Sequence, residues 1–395
     1  MITKPLILTI FGAASMQRWN DKVRPVELTE LDKQAHKMVI AYVLAKLEEG
    51  NKDLKWINVI EGGLFEFLQR IVVTDLKPQI FRRIKEDNTK YKQLSDWAYS
   101  RLEPAISPLG DEFCRRFRNY FLSKNDDINR RILSAAHSYA SKWEFDIIER
   151  ANPEDYEIGQ VRNNVTNELE RHCELLKGMK DLTLYSNYRK FVAMCGQLRF
   201  QLRWSHLDRM PRTSVLGHML IVAILSYLFS FEVNACERRC VNNYCTGLFH
   251  DFPEVLTRDI SSPVKNSIKG LSVLIRKYEK EQMNKEVYSL IPENWRQEIK
   301  MLTEREFESV VTLDRRIERK SSSDINKNFN KNEYNPRDGE FVKAADDLAA
   351  FVEAYLSKQN GLSNPEFDDA LSSLKRKYRA KTIAGINLGQ IYAGF

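Results

Sequence analysis

The chain has 395 residues, of which 43% are hydrophobic and 29% charged, and it carries a formal net charge of +7. That length accommodates two ordinary domains, and the balance describes a soluble globular protein with a normal core. The positive charge suits an anionic substrate and equally a solvated mixed-charge surface, so it does not by itself call for nucleic acid.

With 16 Gly and 12 Pro, long periodic stretches run uninterrupted, which predicts mostly helix. The opening MITKPLILTIFGAASM has the order of a signal peptide, but its apolar run is short and begins at Pro5, so it reads as part of a cytoplasmic chain. From Thr29 an amphipathic helix containing His36 runs to Gly50. GGLFEFLQRIVVTDL follows within residues 60–85, and DINRRILSAAHSYASKWEFDIIER predicts a helix over 127–150. Residues 153–200 are polar and helical and read as a connector between two halves. The six cysteines include Cys236, Cys240 and Cys245, but no paired CxxC or histidine cluster accompanies them; they read as buried thiols of a reducing compartment.

In the second half, Arg203 and Trp204 lie on a short connector before an apolar helix, Ser214 to Phe231, that contains His218. Its run Met219 to Phe231 is too short to span a bilayer. Glu237 to Phe252 then leads into GLFHDFPEVLTRDISSPVK, where Pro253 ends the helix or starts the next turn. Residues 266–310 read as polar helix. The Ser-, Asn- and Lys-rich stretch 319–339 reads as a mobile loop, and KAADDLAAFVEAYL as a further helix. The adjacent His250 and Asp251 offer a nitrogen and a carboxylate to one cation. His218 upstream and Asp346 downstream add a second histidine and a second carboxylate, and three helices can converge on one divalent transition metal.

The pattern H…HD…D resembles the HD-domain metal-dependent phosphohydrolases. The string HDxxEVLTxDxxxPVK, with RWSHLDRMPRTSVLGH before it, is similar to the bacterial 5′-deoxynucleotidase branch, and the likeness covers about Leu202 to Ser357. It implies an all-α fold and one divalent metal (Co, Mn, Mg, Fe or Zn) on His218, His250, Asp251 and Asp346. It also implies proton-handling roles for Glu254 and Asp259. Arg203 would offer a planar fork for phosphate, Trp204 would wall the sugar against a 2′-hydroxyl, and Lys265 would add positive charge. The family's glutamate before the first metal histidine is here Gly217, so a supporting contact is expected to be missing. The implied activity is release of phosphate from deoxynucleoside 5′-monophosphates. The alternatives are hydrolysis of nucleoside triphosphates, cyclic nucleotides or short oligonucleotides, or a nucleotide-binding regulator with little turnover. The expected partner is a nucleotide, with no membrane or nucleic acid.

The early segments look like a faded copy of the later ones. Gly63, Leu64, Phe65 and Asp75 fall on Gly247, Leu248, Phe249 and Asp259; Arg18-Trp19 precedes His36 much as Arg203-Trp204 precedes His218; and His137 falls on Asp346. Glu66, Phe67 and Arg70 replace the motif His, Asp and Glu, which destroys the chemistry. These observations predict tandem domains: a degenerate pseudo-domain over 1–150, a helical connector over 151–195, and a competent domain over 196–395. A residual site from His36, Glu66 and His137 stays open. The chain is expected as a monomer with an internal pseudo-dimer, or as a homodimer.

Overall fold

A computed structural model describes residues 1–74, 76–123, 125–260 and 268–395. Asp75 and Lys265, both singled out in the sequence, lie outside them. Among the described residues the fold is all-α, apart from two small antiparallel hairpins, Val310–Leu313 with Arg316–Arg319 and Thr382–Ile383 with Ile386–Asn387.

Six helices position the site. In the first half they are α1 (Glu30–Leu47), α2 (Trp56–Val73) and α3 (Ile128–Ala151); in the second, α4 (Val215–Glu232), α5 (Glu237–Phe249) and α6 (Gly339–Gln359). Helices α1 and α4 start in the same way. The Thr29 hydroxyl accepts the Asp32 N–H and the Ser214 hydroxyl accepts the Gly217 N–H, each satisfying a donor that the first turn leaves unpaired. Just before each cap lies a one-rung antiparallel bridge, Gln17 to Thr29 and Leu202 to Ser214. Trp19 and Trp204 both sit at positive φ, 54° and 56°.

A shared glycine sets the crossing of the next helix in each half. A Cβ on Gly247 of α5 would lie 2.7 Å from the Ala223 backbone of α4, and one on Gly63 of α2 would strike the Met38 side chain of α1. At Gly247 the neighbour is backbone, so only glycine lets α5 approach α4 this closely; at Gly63 it is the flexible end of a methionine, which can move. Across the halves like meets like: α1 packs on α4, and α2 on α5. Tyr42 of α1 reaches Glu298 at 2.8 Å and meets Phe249 of α5 edge-on, while Tyr227 of α4 hydrogen-bonds Glu61 of α2. One hydrophobic core runs through both halves, from Ile2 to Tyr392. Helix α4 is long and apolar enough to cross a membrane, but every residue from Val215 to Ser230 is buried in protein.

Two expectations need correction. Residues 151–195 do more than connect: Phe191, Val192 and Cys195 of the Ser186–Gln197 helix are buried in the core, on α1. The stretch 319–339 is ordered, with a helix at Ser322–Asn328. Its polar residues serve the fully buried Arg239 of α5, whose fork meets Asp338 at 2.6 and 3.0 Å and whose third nitrogen reaches Asn326 at 2.8 Å. The apolar N-terminal run forms a core helix, Lys4–Gly12, with Leu6, Ile7, Ile10 and Phe11 buried.

Candidate metal centre

The apolar faces of α4 carry His218 into the interior with no exposed surface. His250 follows directly on the end of α5, and Asp346 lies on α6. One donor atom from each of His218, His250 and Asp346 falls within 4.8 Å of the others. His218 Nε2 lies 3.1 Å from Asp346 Oδ1 and 3.7 Å from Asp251 Oδ2, and His250 Nε2 lies 3.2 Å from the same Asp251 oxygen. The sequence-derived ligands therefore come together on three helices.

The donor set fits a divalent cation. His250 Nδ1 donates to the Gly247 carbonyl at 2.8 Å, which leaves Nε2 as the lone-pair nitrogen facing the cluster. Among the described residues that buried Nε2 has no hydrogen-bond partner of good geometry. Burial pushes the Asp251 carboxyl up, but His250 and His218 more than reverse this and hold it well below the usual range. Asp346 behaves alike, with Lys343, 2.9 Å from its Oδ2, as the main opposing charge. Two imidazoles and two ionised carboxylates suit a transition metal better than Mg²⁺ in an oxygen cage.

Sequence reasoning missed the residue on which the surroundings are strung, Glu353 of α6. It is fully buried. It accepts from Arg203 Nε at 3.2 Å, Trp204 Nε1 at 2.9 Å and the Thr213 hydroxyl at 2.7 Å, and its Oε1 lies 3.6 Å from His218 Nδ1. Its distance of two helical turns from Asp346 was the available signal. Arg203 also faces Asp251 at 3.6 Å. Burial pushes its guanidinium down, but Glu353, Asp259, Asp251 and Asp346 hold it above the usual arginine range. Trp204 packs edge-on against Phe367. Glu254, buried, opens the short Glu254–Thr257 helix and donates its N–H to the Asp251 carbonyl at 3.0 Å. The proposed role of Lys265 falls on a residue outside those described.

Contacts of the same kind occur in the first half. Arg18 Nε and Trp19 Nε1 both donate to Glu144 of α3, at 2.8 and 3.1 Å. The register, however, differs from the expectation. Lys33 and His218 each donate their backbone N–H to the carbonyl of their cap, so Lys33, not His36, stands where His218 stands. His36 points elsewhere: its Nε2 meets the Val192 carbonyl at 3.0 Å and its ring lies edge-on to Trp143. A site from His36, Glu66 and His137 does not form among the described residues. Gly217 is also explained. A Cβ there would lie 2.9 Å from Asp32 Oδ1, and Asp32 already accepts the Ser214 hydroxyl. An acid reaches this helix start from the other half, so the space of the expected glutamate is occupied.

Residues 195–375 match the HD domain family. No curated protein matches the chain. The matched stretch spans α4, α5 and α6 and contains the four candidate ligands, His218, His250, Asp251 and Asp346. This stretch is similar to HD domains, a helical family whose members are generally metal-dependent phosphohydrolases.

Proposed function

We propose, taking an HD domain over residues 195–375 as the premise, that the chain hydrolyses the phosphate ester of a nucleotide, and that the substrate is a deoxynucleoside 5′-monophosphate. The convergence of His218, His250, Asp251 and Asp346 carries the hydrolase reading. The deoxynucleotide rests on the likeness of the Arg203-Trp204 and HDxxEVLTxDxxxPVK segments. When bound, a divalent ion there polarises a phosphoryl oxygen and lowers the pKa of a water.

The chain's own residues do the remaining work. Glu254, buried next to Asp251, exchanges protons with the attacking water or the leaving 5′-oxygen. Asp259, whose charge is felt at Arg203, extends that proton path. Arg203 is pinned through Nε to Glu353, which presents the rest of its fork towards the ligand carboxylates and the phosphate beside them. Trp204 has its indole N–H held by Glu353 and one ring edge on Phe367, which fixes the ring as a wall for the sugar. Trp204→Ala is expected to narrow the preference for deoxy- over ribonucleotides; an unchanged ratio would return the ring to a purely scaffolding part. Lys265 and a cytoplasmic location belong to the same reading.

Metal analysis of the purified chain, coupled to a nucleotide panel with separate detection of phosphate and pyrophosphate, tests the proposal. The expected result is about one transition ion per chain and phosphate released from deoxynucleoside monophosphates. Pyrophosphate from triphosphates would move the assignment to another HD activity. Tight binding without turnover would make the chain a regulator.

A further inference from the structure

The first half places side chains of opposite character at the positions of the candidate ligands. The caps at Thr29 and Ser214 put Lys33 at the place of His218. The shared Gly63 and Gly247 crossings put Glu66, Phe67 and Arg70 at the places of His250, Asp251 and Glu254, and the shared Glu144 and Glu353 put His137 at that of Asp346. Both ligand aspartates are gone, and the proton-handling glutamate has become an arginine. A site that needs a cation has turned into one that contains its own.

The contacts bear this out. Lys33 is fully buried, and among the described residues its ammonium is hydrogen-bonded to the His137 ring alone, 3.3 Å from Nε2 and closer to Nδ1. Lys37, one turn on and also fully buried, pairs with Glu66, whose other oxygen accepts the Tyr120 hydroxyl at 2.7 Å. Burial, then the charge of Arg18, pushes the Lys33 ammonium well below the usual lysine range. Because the ammonium donates to the His137 ring, the nitrogen it meets carries a lone pair, and the imidazole there is neutral. The Glu30 and Glu144 carboxylates offset part of the Lys33 charge without hydrogen-bonding it, so the ammonium keeps an uncharged ring as its partner, and an entering anion would compensate it further. The entry side is open: the His137 side chain is exposed and so is Lys85, while Arg70, 3.5 Å from Glu30 through Nε and bonded to the Thr74 carbonyl at 3.0 Å, is partly in solvent.

We propose that the first half binds a phosphate group at this place, with the exposed His137 ring swinging aside so that Lys33, Arg70 and Lys85 face the anion. Phe67 cannot ligate a metal and Arg70 cannot accept a proton, so the group is bound and not hydrolysed. Lys37 stays committed to Glu66 and supplies field rather than contact. The recognised chemistry is the phosphate itself, whether free or carried by a nucleotide.

The test uses the full chain bearing Asp251→Ala and treated with a chelator, so that the second-half cluster is disabled. Thermal unfolding is followed with inorganic phosphate, with a deoxynucleoside monophosphate, with the matching deoxynucleoside, and with chloride at equal ionic strength. Phosphate is expected to raise Tm by a few degrees at saturating concentration, and chloride and the nucleoside to leave it in place. A larger shift with the nucleotide assigns that as the source; an equal one assigns free phosphate. His137→Asp in this background gives Lys33 a carboxylate, so it is expected to keep or raise the ligand-free Tm while abolishing the phosphate shift. Lys33→Met, which removes the buried charge, is expected to do the same. No shift in the Asp251→Ala chain, or a shift that survives both His137→Asp and Lys33→Met, would overturn the proposal.

Discussion

Glu353 and Glu144 occupy matching places, each buried, each taking an arginine Nε and a tryptophan indole N–H. They differ in what lies beyond them. Glu353 also faces His218 Nδ1, whereas Glu144 takes a second arginine, Arg199, at 2.9 Å. Both Glu→Gln changes strand a buried guanidinium and are expected to cost about 3–5 kcal/mol in denaturant unfolding. The kinetics should separate them. Glu353→Gln is expected to weaken metal binding or turnover by roughly 10–100-fold, because the His218 ring and Arg203 lose their support. Glu144→Gln should leave kcat unchanged at temperatures where the protein stays folded; equal loss in both would reduce Glu353 to a structural part. At the cluster itself, Asp251→Ala is expected to remove metal and activity with helix content intact by circular dichroism. Glu254→Gln should lower kcat by about two to four orders of magnitude with metal retained. The candidate ligands stood out in the sequence because His and Asp adjacent in an apolar context have few structural uses. Glu353 was not, since a glutamate on an amphipathic helix reads as solvated until its partners arrive from a distant connector.

Helix starts carry the correspondence between the halves, and they also explain why His36 misled. Matching histidine to histidine sets His36 opposite His218, but the Thr29 and Ser214 caps fix the register and select Lys33, which is as far from Trp19 as His218 is from Trp204. A lysine inside an apolar helix does not announce itself as a ligand's replacement. Likewise, the Asn and Ser of 319–339 have the composition of a loop, and only the buried Arg239 that they surround makes them structural. The same helix starts meet across the halves, with Asp32 of α1 set against Gly217 of α4. Gly217→Ala is expected to cost about 1–3 kcal/mol by overpacking a close contact. Asp32→Ala should relieve part of that cost, giving a coupling of roughly 0.5–3 kcal/mol in a double-mutant cycle. Additive costs would mean that the Leu31 side chain, which a Cβ would also approach at 2.9 Å, sets the constraint instead.

At the scale of the molecule, the proposed duplication accounts for pairs that one domain alone has no need of: two Arg-Trp-Glu sets, two capped apolar helices and two glycine crossings. Like helices also meet like, α1 on α4 and α2 on α5, as they would about an approximate two-fold axis. In the sequence the proposed duplication rests on Gly-Leu-Phe, which packing would keep, and is faint at the positions of the candidate ligands. The consequence is that the first half is a partner the second cannot shed. Tyr42, Met38 and Leu31 belong to the same continuous core as Leu220, Tyr227 and Phe249, and Tyr227 relies on Glu61 for its hydroxyl. Removing residues 1–150 would therefore bare the outer face of α4, whose residues are apolar almost throughout. Such a face is far more apolar than a monomer's surface tolerates. The truncated chain is expected either to aggregate or to pair with a second copy of itself through that face, read by size-exclusion chromatography with light scattering. A soluble, monomeric 151–395 fragment with full metal content would show that α4 does not depend on α1 for cover, and the two-fold arrangement would lose its energetic basis.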